Sequence, residues 1–219
     1  ENWDTLEKLI IEYIALEKDA FPLNQNTLLA PISSPEKFLA IGMNYKKHRA
    51  ESIDAGITPP RNQMWFTKQV SCINDPYGDI IKPESTMMLD YEVELCAVAI
   101  DNIGPAKQGR FGFVLCNDLT DRWALLRNID LNQPLGLTGF PEGKGGEGML
   151  PMGAILAVPR DGEFYKQIKL GLSVNDRVRQ RSSADLMIWD APSIAQKALS
   201  MCEADYMLGD EVIRIADCD

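Results

Sequence analysis

Residues 89–122 constrain this chain more than any other stretch, because a strand pair there would gather three carboxylates at one point. The segment LDYEVELCAVAI, residues 89–100, is dense in Val, Leu, Ile and Ala and holds neither Gly nor Pro, which predicts a strand. Side chains alternate faces along a strand, so Glu92 and Glu94 point the same way. A second apolar run, FGFVLCND, ends at Asp118, where a strand tip would set its carboxylate. If the two strands are neighbours, Glu92, Glu94 and Asp118 converge. Like charges that close oppose one another's ionisation unless a cation neutralises them. Ligands that are all oxygen favour a hard divalent ion, Mg²⁺, Mn²⁺ or Ca²⁺, over zinc or copper. The same alternation also describes the solvated face of an ordinary half-buried strand, and the glutamate pair alone does not separate the two readings.

Charge and composition narrow the partners. A formal charge of −10 repels nucleic acid and anionic membrane surfaces. No apolar run approaches the roughly eighteen residues of a membrane helix, and no charged-then-apolar signal sequence is visible, so the expected location is cytoplasmic. The 219 residues suffice for one large domain, or one domain with a small appendage. The first residue is Glu, so the native start is expected to be missing. The cysteines, Cys72, Cys96, Cys116, Cys202 and Cys218, are odd in number and form no C-x-x-C pair. Scattered through apolar runs, they predict buried, reduced thiols and no disulfide framework.

Taken in order, residues 4–18 predict an amphipathic helix, with Leu6, Leu9, Ile10, Tyr13 and Ile14 on one stripe and Asp4 and Glu7 as a capping box. Residues 21–37 carry three prolines and read as a linker, with a boundary near Pro35. The chain thus divides into an N-terminal helix and linker, 1–35, and a main domain, 36–219. FLAIG (38–42) predicts a buried strand running into a helix capped by Asn44. That helix would put His48, the only histidine, one turn from Glu51. A lone histidine is usually structural; a carboxylate one turn away orients an imidazole for taking a proton from water. MWFTK predicts a strand ending at Lys68, and NDPYGD a turn.

Residues 127–148 are rich in Gly, Asn and Pro and read as one long loop, with Lys144 between two glycines. Thr138 and Gly145 break the phosphate-loop pattern around that lysine, which excludes nucleotide binding by this motif. AILAVP predicts a strand, IKLGLSV and RVRQ a hairpin turning at Asn175-Asp176, SIAQKALSMCE a helix, and EVIRI a last strand. Strands outnumber helices without regular alternation, so the fold class is α+β with a curled, mixed or mostly antiparallel sheet.

Six pieces in order carry a family resemblance: GMNYKKHRAE, MWFTK, DYEVEL, NDLTDR, KGGEGMLPMG and VNDRVRQRSSADLMIW. Together they span about residues 38–190, and the chain resembles the fumarylacetoacetate hydrolase family. The resemblance implies a mixed β-roll, here behind an N-terminal helical extension, usually as a homodimer, with one Mg²⁺ or Mn²⁺ (Ca²⁺ in a crystal). It implies Glu92, Glu94 and Asp118 as metal ligands, His48 and Glu51 as a water-activating dyad, and Lys144 as the cation holding an oxyanion or enolate. Lys68 and Gln180 fall at positions near the substrate. The implied reaction is hydrolysis of a C–C bond in a small 1,3-dicarbonyl acid of the acylpyruvate or fumarylpyruvate type. Oxaloacetate-type decarboxylation, or isomerisation and tautomerisation, would use the same parts, and a catalytically silent metal-binding scaffold is the alternative from another class. A glycosidase built on Glu92 and Glu94 is disfavoured, because same-face strand neighbours sit too close for that chemistry.

Three departures from the family pattern stand out. The G-D-x-I-x-x-G-T-P-x-G segment expected after SIAQKALSMCE does not occur, so the C-terminal part is expected to be shortened or incomplete. Trp123 replaces an acidic residue and Ala154 a proline, both beside the expected pocket.

Overall fold

The computed structural model describes residues 3–16, 28–32, 38–59, 61–68, 70–99, 111–130, 138–191, 193–194, 197–198, 205–208 and 211–214. Its organising unit is an antiparallel pair, β5 (Val93–Ala99) with β6 (Phe111–Asn117), in which Val93 faces Asn117 and Glu94 faces Cys116. On β6, Val114 and Cys116 are buried on one face, as alternation requires, and Phe113 is buried on the other, in a separate apolar cluster. The predicted strand 89–100 is interrupted. β4 (Leu89–Asp90) pairs instead with β7 (Thr120–Asp121), and the ladder resumes only at Val93. Between them the Glu92 amide donates to the Asn117 side chain at 3.0 Å, and the Asp118 amide donates to the Glu92 carbonyl at 2.8 Å. Glu92 therefore stands at a break and Glu94 in the ladder, at the end of the pair where Asp118 follows β6.

Other short ribbons frame this pair. β1 (Leu39–Gly42) runs antiparallel to β2 (Met64–Thr67), β3 (Ile73–Asn74) runs parallel to β8 (Leu150–Pro151), and β9 (Lys169–Val174) forms a hairpin with β10 (Arg177–Ser183). The hairpin turns at Asn175 and Asp176, both at positive φ (50° and 61°), the backbone a tight two-residue turn requires and these two residue types tolerate. β11 (Asp205–Leu208) and β12 (Glu211–Arg214) make a final antiparallel pair that includes the predicted EVIRI strand. Residues 191, 193–194 and 197–198 are helical, where SIAQKALSMCE predicts a helix.

Several expectations are corrected. The N-terminal helix α1 spans Trp3–Ala15, so Asp4 lies inside its first turn and does not cap it; the boundary near Pro35 lies outside the described residues. The helix α2, Lys46–Asp54, begins after Tyr45 without a side-chain cap. Asn44 instead exchanges hydrogen bonds with the Trp189 backbone, donating at 3.0 Å and accepting at 2.9 Å, which ties the start of α2 to the far end of the domain. AILAVP makes isolated bridges at Ala157 and, just before it, Met152, but no strand, since Gly153 and Pro159 interrupt any longer ladder. Cys96 and Cys116 form a disulfide across the β5–β6 pair, against the expectation of reduced thiols. Register decides this: the two positions are diagonal neighbours with Cα atoms 6.3 Å apart, within bonding range. Cys72 is buried and donates to the Lys144 carbonyl at 3.5 Å, while Cys202 and Cys218 lie outside the described residues.

The predicted loop 127–148 contains helical structure at both ends. α3 (Arg122–Asn128) runs into its start, and α4 (Phe140–Lys144) lies within it. Asp121 caps α3, accepting from the Trp123 and Ala124 amides at 3.0 and 3.2 Å. It also accepts from the Met87 and Met88 amides at 3.2 and 3.4 Å, so one carboxylate fastens the approach to β4 onto the helix. Gly139 starts α4 at φ +81°, and a Cβ there would lie 2.8 Å from the Leu125 carbonyl oxygen, so only glycine lets α4 approach α3 this closely. Phe140 then stacks on Phe66 of β2 with centroids 4.3 Å apart, over buried Leu125.

Burial opposes ionisation of Asp121, but the four backbone N–H groups outweigh it and hold its carboxyl below the ordinary value of 3.8. A lowered carboxyl pKa contributes stability above the unfolded value and loses it as pH falls through the folded one. Asp121→Ala should therefore cost about 2 kcal/mol in urea unfolding at pH 7. The gap between variant and wild type should close as the acid limb passes below the ordinary aspartate range; a gap that persists there would contradict this account.

Candidate active site

Asp118 directly follows β6, at the strand tip the sequence predicts, and its buried carboxylate meets two buried ammonium groups. Lys68, directly after β2, donates to Oδ1 at 2.6 Å, and Lys144, the last residue of α4, donates to Oδ2 at 2.6 Å. Burial works against an ionised Asp118, yet Lys144 and Lys68 hold its carboxyl below the ordinary aspartate value. Lys144 also donates to Glu92 Oε2 at 2.8 Å and to the Thr120 hydroxyl at 2.9 Å, and sits 5.5 Å from the centre of the Phe66 ring. The other Glu92 oxygen, Oε1, is paired with the Arg122 guanidinium, which also donates from Nε to Asp90 at 2.9 Å. Each charged side chain here comes from a different element, so packing of β2, β6, α3 and α4 is what assembles the cluster.

Glu94 completes the carboxylate group and, among the described residues, forms no ion pair of its own. Burial first, then the charges of Glu92 and Asp118, push its carboxyl up to about 8, with Lys144 pulling the other way. The Tyr45 hydroxyl is buried and, among the described residues, is the one buried side-chain oxygen or nitrogen without a hydrogen-bond partner. Burial and the nearby Glu94 charge raise its pKa above the usual phenol range. Tyr45 immediately precedes α2, so the helix carrying His48 and Glu51 springs from the rim of the carboxylate cluster.

His48 Nδ1 lies 4.0 Å from Glu51 Oε2, as the i, i+3 spacing predicts, with both side chains more than half exposed. Among the described residues no hydrogen bond or ion pair joins either to the carboxylates. Gln180, at the register shift in β10, accepts from the Val93 amide at 2.8 Å and so pins the backbone between Glu92 and Glu94. Lys68, buried on Asp118, likewise acts on another residue of the site. Sequence reasoning placed Lys144 and the three carboxylates together. It missed Arg122, Thr120 and Tyr45 as members, although all three lie within the NDLTDR and GMNY pieces already singled out.

Among the described residues no three carboxylate, thiol or imidazole groups stand arranged to close on one ion. The donor set nonetheless suits a hard cation: three neighbouring carboxylates, one of them resisting ionisation for want of positive charge, and an unpartnered hydroxyl beside it.

The model of the family described as fumarylacetoacetate (FAA) hydrolase C-terminal matches residues 37–205. The chain is 33% identical over 186 residues to oxaloacetate tautomerase YisK of Bacillus subtilis (strain 168), covering 80% of this chain and 58% of that protein. It is 27% identical over 188 residues to 2,4-didehydro-3-deoxy-L-rhamnonate hydrolase of Sphingomonas sp. (strain SKA58), covering 81% of this chain and 61% of that one. Among solved structures, 5-carboxymethyl-2-hydroxymuconate delta-isomerase from Mycobacterium smegmatis superposes with a TM-score of 0.59 at 25% identity, over 78% of this chain and 64% of that one. The chain spans about 60% of the length of the curated relatives it matches.

A raised carboxyl pKa penalises the native state wherever the unfolded chain has already ionised, and here the penalty grows from pH 4.5 to about 8 and stays in full above that. With EDTA present, Glu94→Gln should be more stable than wild type above pH 8, by on the order of a few kcal/mol. The advantage should shrink towards zero as pH falls to 4.5; urea unfolding across that range reads it, and a pH-independent difference would count against the assignment.

Proposed function

Because the chain belongs to the fumarylacetoacetate hydrolase family and has that family's type of fold, we propose that it is a divalent-metal-dependent hydrolase of a small 1,3-dicarbonyl acid. The observation that supports this reading best is the convergence of Glu92, Glu94 and Asp118 with the Lys144 ammonium in one partly buried cluster. A Mg²⁺ or Mn²⁺ ion held by the three carboxylates would supply Lewis acidity to a chelating dicarbonyl group. The closed β-roll implied by the resemblance belongs to the same proposal.

The remaining chemistry falls to side chains of this chain. Lys68 fixes Asp118 through Oδ1 and leaves Oδ2 directed into the cluster. Arg122 spans Asp90 and Glu92, and Gln180 holds the Val93 amide, so the glutamates are fixed from both flanks. Glu51 would orient His48, which takes a proton from water as the water oxygen bonds to the substrate carbonyl carbon. The C–C bond then breaks, its electron pair leaving with the keto-acid fragment as an enolate, whose carbon would take up the proton held by His48. Lys144 would hold the negative charge that develops on oxygen.

A second reading, tautomerisation or isomerisation, is supported by two observations: the similarity to an oxaloacetate tautomerase at 33% identity, and the exposed position of the His48–Glu51 pair. Moving a proton within one substrate needs no water attack. Product analysis with Mn²⁺ and a panel of acylpyruvates, fumarylpyruvate and oxaloacetate separates the two. Two acid products, lost with EDTA, mean hydrolysis; enol–keto interconversion alone means tautomerisation, and CO₂ release means decarboxylation. His48→Ala should lower hydrolysis by roughly 10²–10⁴-fold with Mn²⁺ affinity unchanged. Full hydrolytic activity in that variant would remove the dyad from the mechanism.

A further inference from the structure

Every oxygen of Glu92 and Asp118 already faces a donor. Asp118 Oδ1 takes Lys68 and Oδ2 takes Lys144; Glu92 Oε2 takes Lys144, and Oε1 takes Arg122 and, at 3.5 Å, the Thr120 hydroxyl. Lys68 and Arg122 bind one oxygen of each carboxylate, which leaves the other oxygen of each, the inner pair, to Lys144. Lys144 alone bridges the two inner oxygens, at 2.8 and 2.6 Å, and its third proton goes to Thr120 at 2.9 Å. An ammonium group has three donors, so this Lys144 has none left for a substrate.

We propose that the Lys144 ammonium serves as an internal counter-ion on the oxygen pair that a divalent cation must engage, so that cation binding opens the Lys144 bridge and frees the ammonium for the substrate. The inference rests on the metal-site reading above and adds an order of events to it: the cation enters first, and only then is Lys144 available to an oxyanion. Two physical facts carry the step. The carboxylates repel one another, so the cluster needs positive charge between Glu92 and Asp118 in the absence of any ion. A buried ammonium in turn needs carboxylate partners, so once displaced from one oxygen it swings towards the next source of negative charge, the bound substrate.

The test uses Mn²⁺ itself, with two measurements. Reductive methylation followed by peptide mapping should label Lys144 slowly in EDTA-treated wild type and at least about tenfold faster with saturating Mn²⁺ and no substrate. Isothermal titration should give Lys144→Met at least about tenfold higher Mn²⁺ affinity than wild type, because no bridge has to open. If wild type binds Mn²⁺ while Lys144 stays as protected as before, the counter-ion proposal fails and the metal site stands. Equal or weaker Mn²⁺ binding by Lys144→Met would likewise overturn it. If neither protein binds Mn²⁺, the metal-site reading itself falls and takes this inference with it. The labelling experiment needs only wild type, so it decides the matter even if Lys144→Met does not fold.

Discussion

The two ammonium groups on Asp118 are the interaction the rest of the domain depends on. A buried lysine is costly unless paired, and a buried aspartate equally so. Lys68 reaches Asp118 from the end of β2 and Lys144 from the end of α4, so neither element can shift without stranding a charge. Arg122 extends the network through Glu92 to Asp90 and thereby joins the β4–β7 pair to β5 and β6. Removing one partner from such a network costs far more than the network contributes by its presence, so its role is to specify one arrangement. The ribbons are short, and this shared charge cluster does for their mutual placement what a long continuous sheet does in other folds.

That logic explains which parts of the molecule were legible in the sequence. Alternation placed Glu94 and Asp118 correctly, because parity along β5 and the end of β6 are local properties. The site geometry at Glu92 was not local: the strand breaks there because the Asn117 side chain and the Asp118 amide take the hydrogen bonds a ladder would have used. The same distinction separates the hairpin at Asn175-Asp176, written in two turn residues, from AILAVP, whose apolar run meets β6 only at an isolated bridge. The Cys96–Cys116 disulfide could not be read from spacing, since only the β5–β6 register makes the two positions diagonal neighbours. α3 was hidden for another reason. Its cap, Asp121, sits inside a motif that draws attention to chemistry, and the same carboxylate also serves the chain before β4.

Loop 127–148 shows how composition misleads when glycine is read only as a breaker. Gly139 and Gly143 are there because α4 packs backbone-close on α3, with a Cβ at Gly143 falling 2.6 Å from the Leu125 Cβ. Glu142 caps the helix from within by accepting from the Gly139 amide at 2.8 Å. The result is a five-residue helix whose one chemical product is a lysine held at a fixed point. The glycines therefore position the ammonium rather than loosen it.

The division of the site into a buried half and an exposed half bears on which reaction it favours. Carboxylates, Lys144 and Lys68 are fixed in the interior, whereas His48 and Glu51 stand on α2, whose anchors are Asn44 on the Trp189 backbone and the Ile188 amide on the Asn44 carbonyl. Between the halves stands Tyr45, with its hydroxyl buried, without a partner among the described residues, and close enough to Glu94 to feel its charge. Stabilising negative charge on a chelating acid needs the interior half alone. On the proposed reading, breaking a C–C bond with water would need the exposed His48–Glu51 half as well. Hydrolysis and tautomerisation would then share this chain's interior half and differ in whether the His48–Glu51 pair is brought to the substrate.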